Sequence, residues 1–232
     1  MNKATSRRTL LHVGALSGVV AASGLALPAL ARETKKTGAE EAISPPEDLM
    51  REHAILDRIL LVYEGGMRRA GEGEDIDPAV FEHSAGIVRD FIHDYHEKSE
   101  EELIFPRFKT AGRMVELVNV LVVQHGAGRK LTERILAAAP QARNREPRET
   151  MGRDIKAFIT MYRPHTAREA TDLFPALRSL VKTDEYEGIA DDMEKRERQA
   201  FGADGFEKIA KKVGEIETVI GIHDLDVFTP KS

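Results

Sequence analysis

Four histidines of this chain lie on four separate stretches with helical apolar spacing, and two of them are followed by a glutamate four residues later. They are His53, His96 with Glu100, His125, and His165 with Glu169. On a helix, residues four apart project from one face, one turn from each other. A histidine and a glutamate so placed can reach one metal ion together, or the glutamate can bridge to a second ion. Imidazole nitrogen and carboxylate oxygen suit iron, manganese or zinc. Carboxylate-bridged di-iron sites are built in this way, with ligands entering from each helix of a four-helix bundle.

The spacing carries little weight by itself. Asp and Glu make up 39 of the 232 residues, so any histidine often meets an acid four positions on. His53 is followed by Asp57 and His93 by Glu97 in the same way. Order and distribution carry more. One histidine falls on each of four helical stretches, separated by 43, 29 and 40 residues. Both HxxxE pairs stand shortly before an aliphatic-Phe-Pro run, Leu103-Ile104-Phe105-Pro106 and Leu173-Phe174-Pro175. That echo points to a two-fold pseudo-symmetry between the second and fourth helices.

Four helices must therefore position these side chains. Ser44-Pro45-Pro46-Glu47 is a helix start, with Ser as N-cap, proline in the first turn and acids following. The first helix is expected from about Pro46 to Glu64, closing at Gly65-Gly66, with Leu49, Leu56, Ile59, Leu60 and Tyr63 on its inner face beside His53. The second runs from Asp77-Pro78 to about Phe105, where Pro106 bends or ends it. Val80, Ile87, Phe91 and Leu103 mark its inner stripe. The third covers about Arg113 to Ala139, with Val115, Val118, Val122, Leu131 and Leu136 as core candidates. The fourth covers about Arg148 to Val181 and contains Pro164 and Pro175, which should kink or end it. A charged helix from Thr183 to Phe201 and a shorter one over Phe206 to Ile220 follow. The apolar Leu225, Val227 and Phe228 of the tail are expected to fold back on the bundle. No strand alternation is present.

Composition narrows the function. Hydrophobic residues at 41% support a core, and a net charge of −5 argues against a nucleic-acid partner. The absence of Cys excludes disulfides, Cys-ligated zinc, iron–sulfur clusters and thiol chemistry. There is no Gly-rich phosphate loop and no GxSxG. The arginines at 143, 145, 148 and 153 alternate with acids and lack aromatics, so they read as a solvated helix start.

The first 31 residues read as an export signal rather than as part of the fold. Lys3, Arg7 and Arg8 form a basic start, residues 13–31 carry no charge, and Ala29-Leu30-Ala31 is a small-residue cleavage pattern. Ser6-Arg7-Arg8-Thr9-Leu10-Leu11 resembles the twin-arginine signal, which exports folded proteins. The expected organisation is a signal over 1–31, a polar linker over 32–46, a bundle over 47–182 and a helical extension over 183–232. The expected location is periplasmic or otherwise exported, with no stable membrane span once the signal is removed.

The order H…HxxxE…H…HxxxE, carried by His53, His96-Glu100, His125 and His165-Glu169, resembles the hemerythrin-like, or HHE cation-binding, family. The flanks Arg51-Glu52-His53, Glu100-Glu101-Glu102-Leu103-Ile104-Phe105-Pro106 and Gln124-His125 match as well, over about residues 44–182. The tail Asp224-Leu225-Asp226-Val227-Phe228-Thr229-Pro230 looks like that of exported members. The resemblance implies an all-α, antiparallel up-down-up-down four-helix bundle with extra C-terminal helices. It implies two non-haem irons with an oxo or hydroxo bridge, with zinc or manganese ranked behind iron. The four histidines would ligate terminally and Glu100 and Glu169 would bridge.

One departure bears on chemistry. Oxygen-carrying hemerythrins have a second histidine one turn along the third helix, where this chain has Leu121 and Arg129 around His125. His93, one turn before His96, is a candidate substitute. Glu97 and Glu101 are less well aimed. Tyr162, one turn from His165, is placed for a hydrogen bond to it. The implied partner is a small diatomic ligand or peroxide. The implied role is to bind or sense O2 (or iron), or alternatively to act as an enzyme on hydrogen peroxide or nitric oxide.

Overall fold

The structure, a computed structural model, describes residues 43–231. The signal-like segment over 1–31 and most of the linker lie outside the described residues. The described chain is a helical bundle without a strand. We label its six helices α1 (Pro45–Gly71), α2 (79–110), α3 (Val115–Ala138), α4 (145–177), α5 (Thr183–Phe201) and α6 (Gly205–Val219). None of the described helices is long and apolar enough to cross a membrane.

The start of α1 forms as the sequence predicts. The Ser44 amide and hydroxyl both donate to the Glu47 carboxylate, at 2.9 and 2.6 Å, which ties down the first turn. The end differs from expectation. The helix runs through Gly65-Gly66 to Gly71. Glycine costs about 1 kcal/mol in a helix interior, and close packing offsets that cost here. A Cβ on Gly66 would fall 2.8 Å from the Phe81 ring, and Gly65 faces Ile220 and Ile222.

The long helices α2 and α4 are not regular. Within α2, an α-helical start (Ala79–Ile87) gives way to π-helical turns at Val88–Glu97 and Glu100–Ile104, then to a final α-helical piece, Phe105–Thr110. Helix α4 is α-helical over Arg145–Arg168, π-helical over Glu169–Leu173 and α-helical again over Phe174–Leu177. Each HxxxE glutamate thus opens a π turn. The Phe105 amide donates to the Glu100 carbonyl, and the Phe174 amide to the Glu169 carbonyl. The prolines explain the symmetry. A proline has no amide to donate and its ring crowds the carbonyl four residues back. Widening the turn to a π bulge relieves that crowding. Pro106 and Pro175 therefore do not end the helices at once; each occupies the first turn of the α-helical piece that follows.

Two apolar clusters enclose the bundle's polar layer. One joins Ile55, Ile59 and Tyr63 of α1 to Phe91 of α2, Ile135 of α3, Phe158 of α4 and Val213 of α6. The other joins Leu49 at the start of α1, Phe105 and Phe108 near the end of α2, Val118 and Leu121 at the start of α3, Phe174 and Leu177 at the end of α4, and Ile189 and Met193 of α5. Helices α5 and α6 lie against α1 and α2. Arg58 donates to Glu217 through Nε and Nη2 at 2.8 and 2.7 Å, Arg51 stands over the Phe206 ring at 4.2 Å, and Phe201 packs on Phe91.

Two expectations about packing are corrected. Val122 is exposed, because the buried face of α3 is taken by Val118, Leu121, His125, Gly128, Leu131 and Ile135. The tail residues Leu225, Val227 and Phe228 do not fold back and are at least half exposed. Ile220 and Ile222 already fill the contact with α1, and Asp224 caps a short 3-10 turn by accepting from the Asp226 amide at 3.0 Å. Burying the apolar side chains of that turn would carry its aspartates with them.

Candidate metal centre

All six candidate side chains are buried between the two apolar clusters. His53 comes from α1, His96 and Glu100 from α2, His125 from α3, and His165 and Glu169 from α4. They converge as two triads, His53/His96/Glu100 and His125/His165/Glu169. Within each triad the three ligand atoms lie within 4.8 Å of one another. The His53 and His96 rings are 4.8 Å apart and the His125 and His165 rings 5.0 Å apart.

The glutamates join the triads. Glu100 places Oε1 3.5 Å from His96 Nε2 and Oε2 3.5 Å from His125 Nε2. Glu169 places Oε2 3.1 Å from His165 Nε2 and 3.2 Å from His53 Nε2. None of these atoms is hydrogen-bonded. Both oxygens of Glu100, both of Glu169, His125 Nε2 and both nitrogens of His53 are buried without a hydrogen-bond partner. Neither glutamate has a lysine or arginine partner among the described residues. A buried, uncompensated carboxylate costs several kcal/mol, and native proteins rarely leave buried polar atoms unpaired.

A cation removes the contradiction. Nitrogen and oxygen ligands bind such ions at about 2.0–2.2 Å, so neighbouring ligand atoms around one ion stand about 3 Å apart. The separations of 3.1–3.5 Å, without hydrogen-bond alignment, are those of atoms aimed at a shared ion. The residues present therefore fit a metal.

The outward-facing imidazole nitrogens support this geometry. His96 Nδ1 lies 2.8 Å from Glu52 Oε2, and Glu52 Oε1 accepts from the Tyr95 hydroxyl at 2.8 Å. His125 Nδ1 lies 2.9 Å from Glu101 Oε1, and His165 Nδ1 lies 2.9 Å from Gln124 Oε1. An acceptor at Nδ1 places the proton there and leaves the Nε2 lone pair facing the site. The phenylalanines of the two Phe-Pro runs also have matching roles. Phe105 of α2 stacks on His125 at 5.5 Å, and Phe174 of α4 stacks on His53 at 5.3 Å. Each ring fixes an imidazole from another helix and closes the site to water on that side.

The substitutes considered from sequence stand elsewhere. His93 does not reach either triad. Its Nε2 is 2.8 Å from Thr132 Oγ1 and its Nδ1 is 3.0 Å from Glu97. Glu97 accepts from the Tyr162 hydroxyl at 2.6 Å, so Tyr162 bonds to Glu97 rather than to His165, which it meets only edge-on. Arg129 lies 3.1 Å from Glu97 and 2.9 Å from Glu101. Glu97, Glu101 and His125 form a third group with metal-like spacing. Arg129 already supplies the positive charge that such a group needs.

Sequence reasoning did not assign roles to Glu52, Gln124 or Gly128, and it weighed Glu101 only as a further ligand rather than as the partner of His125 Nδ1. The motif flanks Arg51-Glu52-His53 and Gln124-His125 contained two of them. Gly128 is needed because any Cβ there would collide with the Tyr162 phenol.

Burial also sets the protonation states. It pulls His96 down to about 4 and lowers His53, whose contact with Glu169 only partly opposes the effect. Both imidazoles are thus neutral near pH 7 and free to ligate. Burial raises Glu100 well above the usual carboxylate range, and the charges of Glu169, Glu97, Glu52 and Glu101 add to the shift. Burial pushes Glu169 the same way, but His165 and His53 outweigh it and hold that carboxyl low.

Fold and site together define a helical bundle with a buried His/Glu cation site. The family model of the hemerythrin HHE cation binding domain matches residues 44–177, and the chain belongs to that family. The chain is 42% identical over 235 residues to an uncharacterized protein of Mycobacterium tuberculosis and to one of Mycobacterium bovis. These alignments cover 98% of this chain and 92% of each relative. No solved structure matches the chain significantly.

Proposed function

We propose that this chain is a non-haem di-iron protein of the cell envelope that binds or senses O2, or iron itself, at a carboxylate-bridged site. One observation carries the reading. Two buried triads are joined by two glutamates whose four oxygens have no hydrogen-bond partner, and Glu100 offers one oxygen to each triad. A carboxylate spanning two triads suits two ions better than one. His53, His96, His125 and His165 would be the terminal ligands, and Glu100 and Glu169 the bridges. Bound iron would supply reversible redox chemistry and affinity for small oxygen species. The chain's own part is to hold His53 and His96 neutral, to fix the four rings through Glu52, Glu101, Gln124, Phe105 and Phe174, and to exclude water.

The family's up-down-up-down arrangement of α1–α4 is part of this proposal. The start of α1, the end of α2, the start of α3 and the end of α4 share one apolar cluster, which supports it. The domain limits of 47–182 and 183–232 belong to the same reading, as does export directed by residues 1–31.

A second reading is an enzyme acting on peroxide or nitric oxide. It is favoured by Leu121, a buried apolar side chain one turn before His125, where oxygen carriers of the family can place a fifth imidazole. Fewer protein ligands leave more of the coordination sphere open to a reactant.

Metal analysis of the purified protein tests both. Two irons per chain are expected; one zinc and no iron would end both redox readings. Hydrogen peroxide then separates them. A stable coloured adduct in air supports binding, and sustained oxygen release supports the enzyme.

A further inference from the structure

Helix α3 carries His125 on its inner side, and its outer side is unusual. The residues at the centre of the outer face are Glu116, Val120, Val123, Ala127, Lys130 and Arg134. Their spacing alternates between four and three residues. They therefore share one stripe of the helix, apolar at its middle and charged at both ends. Val123 at its centre is 72% exposed and Val120 is 53% exposed. Most surface valines on a helix flank a buried stripe; these two face directly away from it. Gly126 and Ala127 beside them are small enough to let a second backbone approach closely.

The charges name the occupant. Glu116 lies seven residues before Val123 and Lys130 lies seven after it. The described residues form no ion pair with either. Two copies of α3 packed antiparallel about Val123 would bring Glu116 opposite the partner's Lys130, twice by symmetry. Val120 would fall opposite the partner's Gly126, so a larger side chain meets a smaller one. A parallel pairing would instead set Glu116 against Glu116 and Lys130 against Lys130. The pattern is therefore self-complementary in one orientation only, as an isologous two-fold contact requires.

We propose that the outer face of α3 is the interface of a homodimer in which two copies of the helix pack antiparallel about Val123. Glu116–Lys130 pairs at each end set the register. The area that one helix pair covers is small, so dissociation falls in the micromolar range. The inference does not depend on which metal the bundle holds, because no interface residue is a candidate ligand.

Sedimentation velocity of the full chain, from about 1 to about 500 µM, tests it. A shift from 25.8 kDa to twice that mass is expected across the range. Val123→Glu should remain a monomer throughout, with metal content unchanged as the check that it has folded. Lys130→Glu alone and Glu116→Lys alone should each weaken the dimer about tenfold by opposing like charges. The double variant Glu116→Lys/Lys130→Glu should restore the original affinity. A protein that stays monomeric over the whole range overturns the proposal. So does a dimer indifferent to Val123→Glu, which would point to another surface or to the N-terminal segment. Failure of the double variant to recover overturns the antiparallel register.

Discussion

Two buried polar layers lie next to each other in this bundle, and both are made of histidine and glutamate. In one, Glu97 accepts a hydrogen bond from Tyr162 and is paired with Arg129, while His93 is bonded to Thr132. In the other, Glu100 and Glu169 have neither a hydroxyl nor a guanidinium, and four imidazoles turn their Nε2 atoms toward them. Residue types and burial hardly distinguish the layers. What distinguishes them is whether the protein itself satisfies its buried charges. The first layer carries its own compensating charge in Arg129 and is largely hydrogen-bonded, with His93 Nδ1 and Glu97 Oε2 standing 3.0 Å apart without a hydrogen bond. The second has no compensating cation of its own among the described residues, and its groups could hold a metal ion.

The largest break in this comparison should come from removing ligands from both triads. His96→Ala with His165→Ala is expected to abolish stoichiometric metal binding, read by elemental analysis of the folded variant. Unchanged metal content would mean that the unsatisfied layer is not the metal layer.

Next in size is the complementary change in the satisfied layer. Glu97→Ala leaves the Tyr162 hydroxyl without its acceptor, while Arg129 keeps Glu101, and should cost about 1–3 kcal/mol in denaturant unfolding. The metal stoichiometry should stay intact. If metal is lost while stability holds, the roles of the two layers are reversed.

Glu52→Ala sharpens the boundary between ligand and support. Glu52 orients His96 without facing either triad's interior, so its loss should weaken metal affinity by about 10- to 100-fold and leave the number of ions per chain unchanged. Competition against a chelator of known affinity measures this. A loss of one whole ion would make Glu52 a ligand.

The smallest effect is the most diagnostic. In metal-free protein the raised Glu100 carboxyl contributes stability that is fully present below its unfolded value and is lost as pH rises through the folded one. Glu100→Gln should therefore stabilise the metal-free protein by about 1–2 kcal/mol near neutral pH, flatten that slope and weaken metal binding. Destabilisation of the metal-free form would show that Glu100 has a partner within the protein.

Much of this was legible in the sequence. The three- and four-residue spacing of Leu49, Leu56 and Ile59 on α1, and of Phe91 on α2, reports a local face of a helix, which is a property of neighbours along the chain. The same holds for the Ser44 cap and for the HxxxE pairs. The Phe-Pro echo was visible too, but not its use. Only the folded chain shows that Phe105 and Phe174 stack on histidines of other helices and that each proline is accommodated by a π turn opening at the preceding glutamate. Gly65-Gly66 was misleading for a related reason. Glycine as a helix breaker is a local preference, and Phe81 and Ile220 overrode it from a distance.

The sequence by itself determined that this is an all-helical chain with four regularly distributed histidines and two paired glutamates, because those features follow from the order and period of side chains. Only the tertiary structure decided which buried acids and imidazoles remain without partners. His93 and His53 are both buried histidines followed four residues later by an acid. His93 is bonded to Thr132, 39 residues away, whereas His53 meets no hydrogen-bond partner and faces Glu169 from across the bundle. Satisfaction of a buried charge depends on groups brought together from distant parts of the chain, and no local pattern records it.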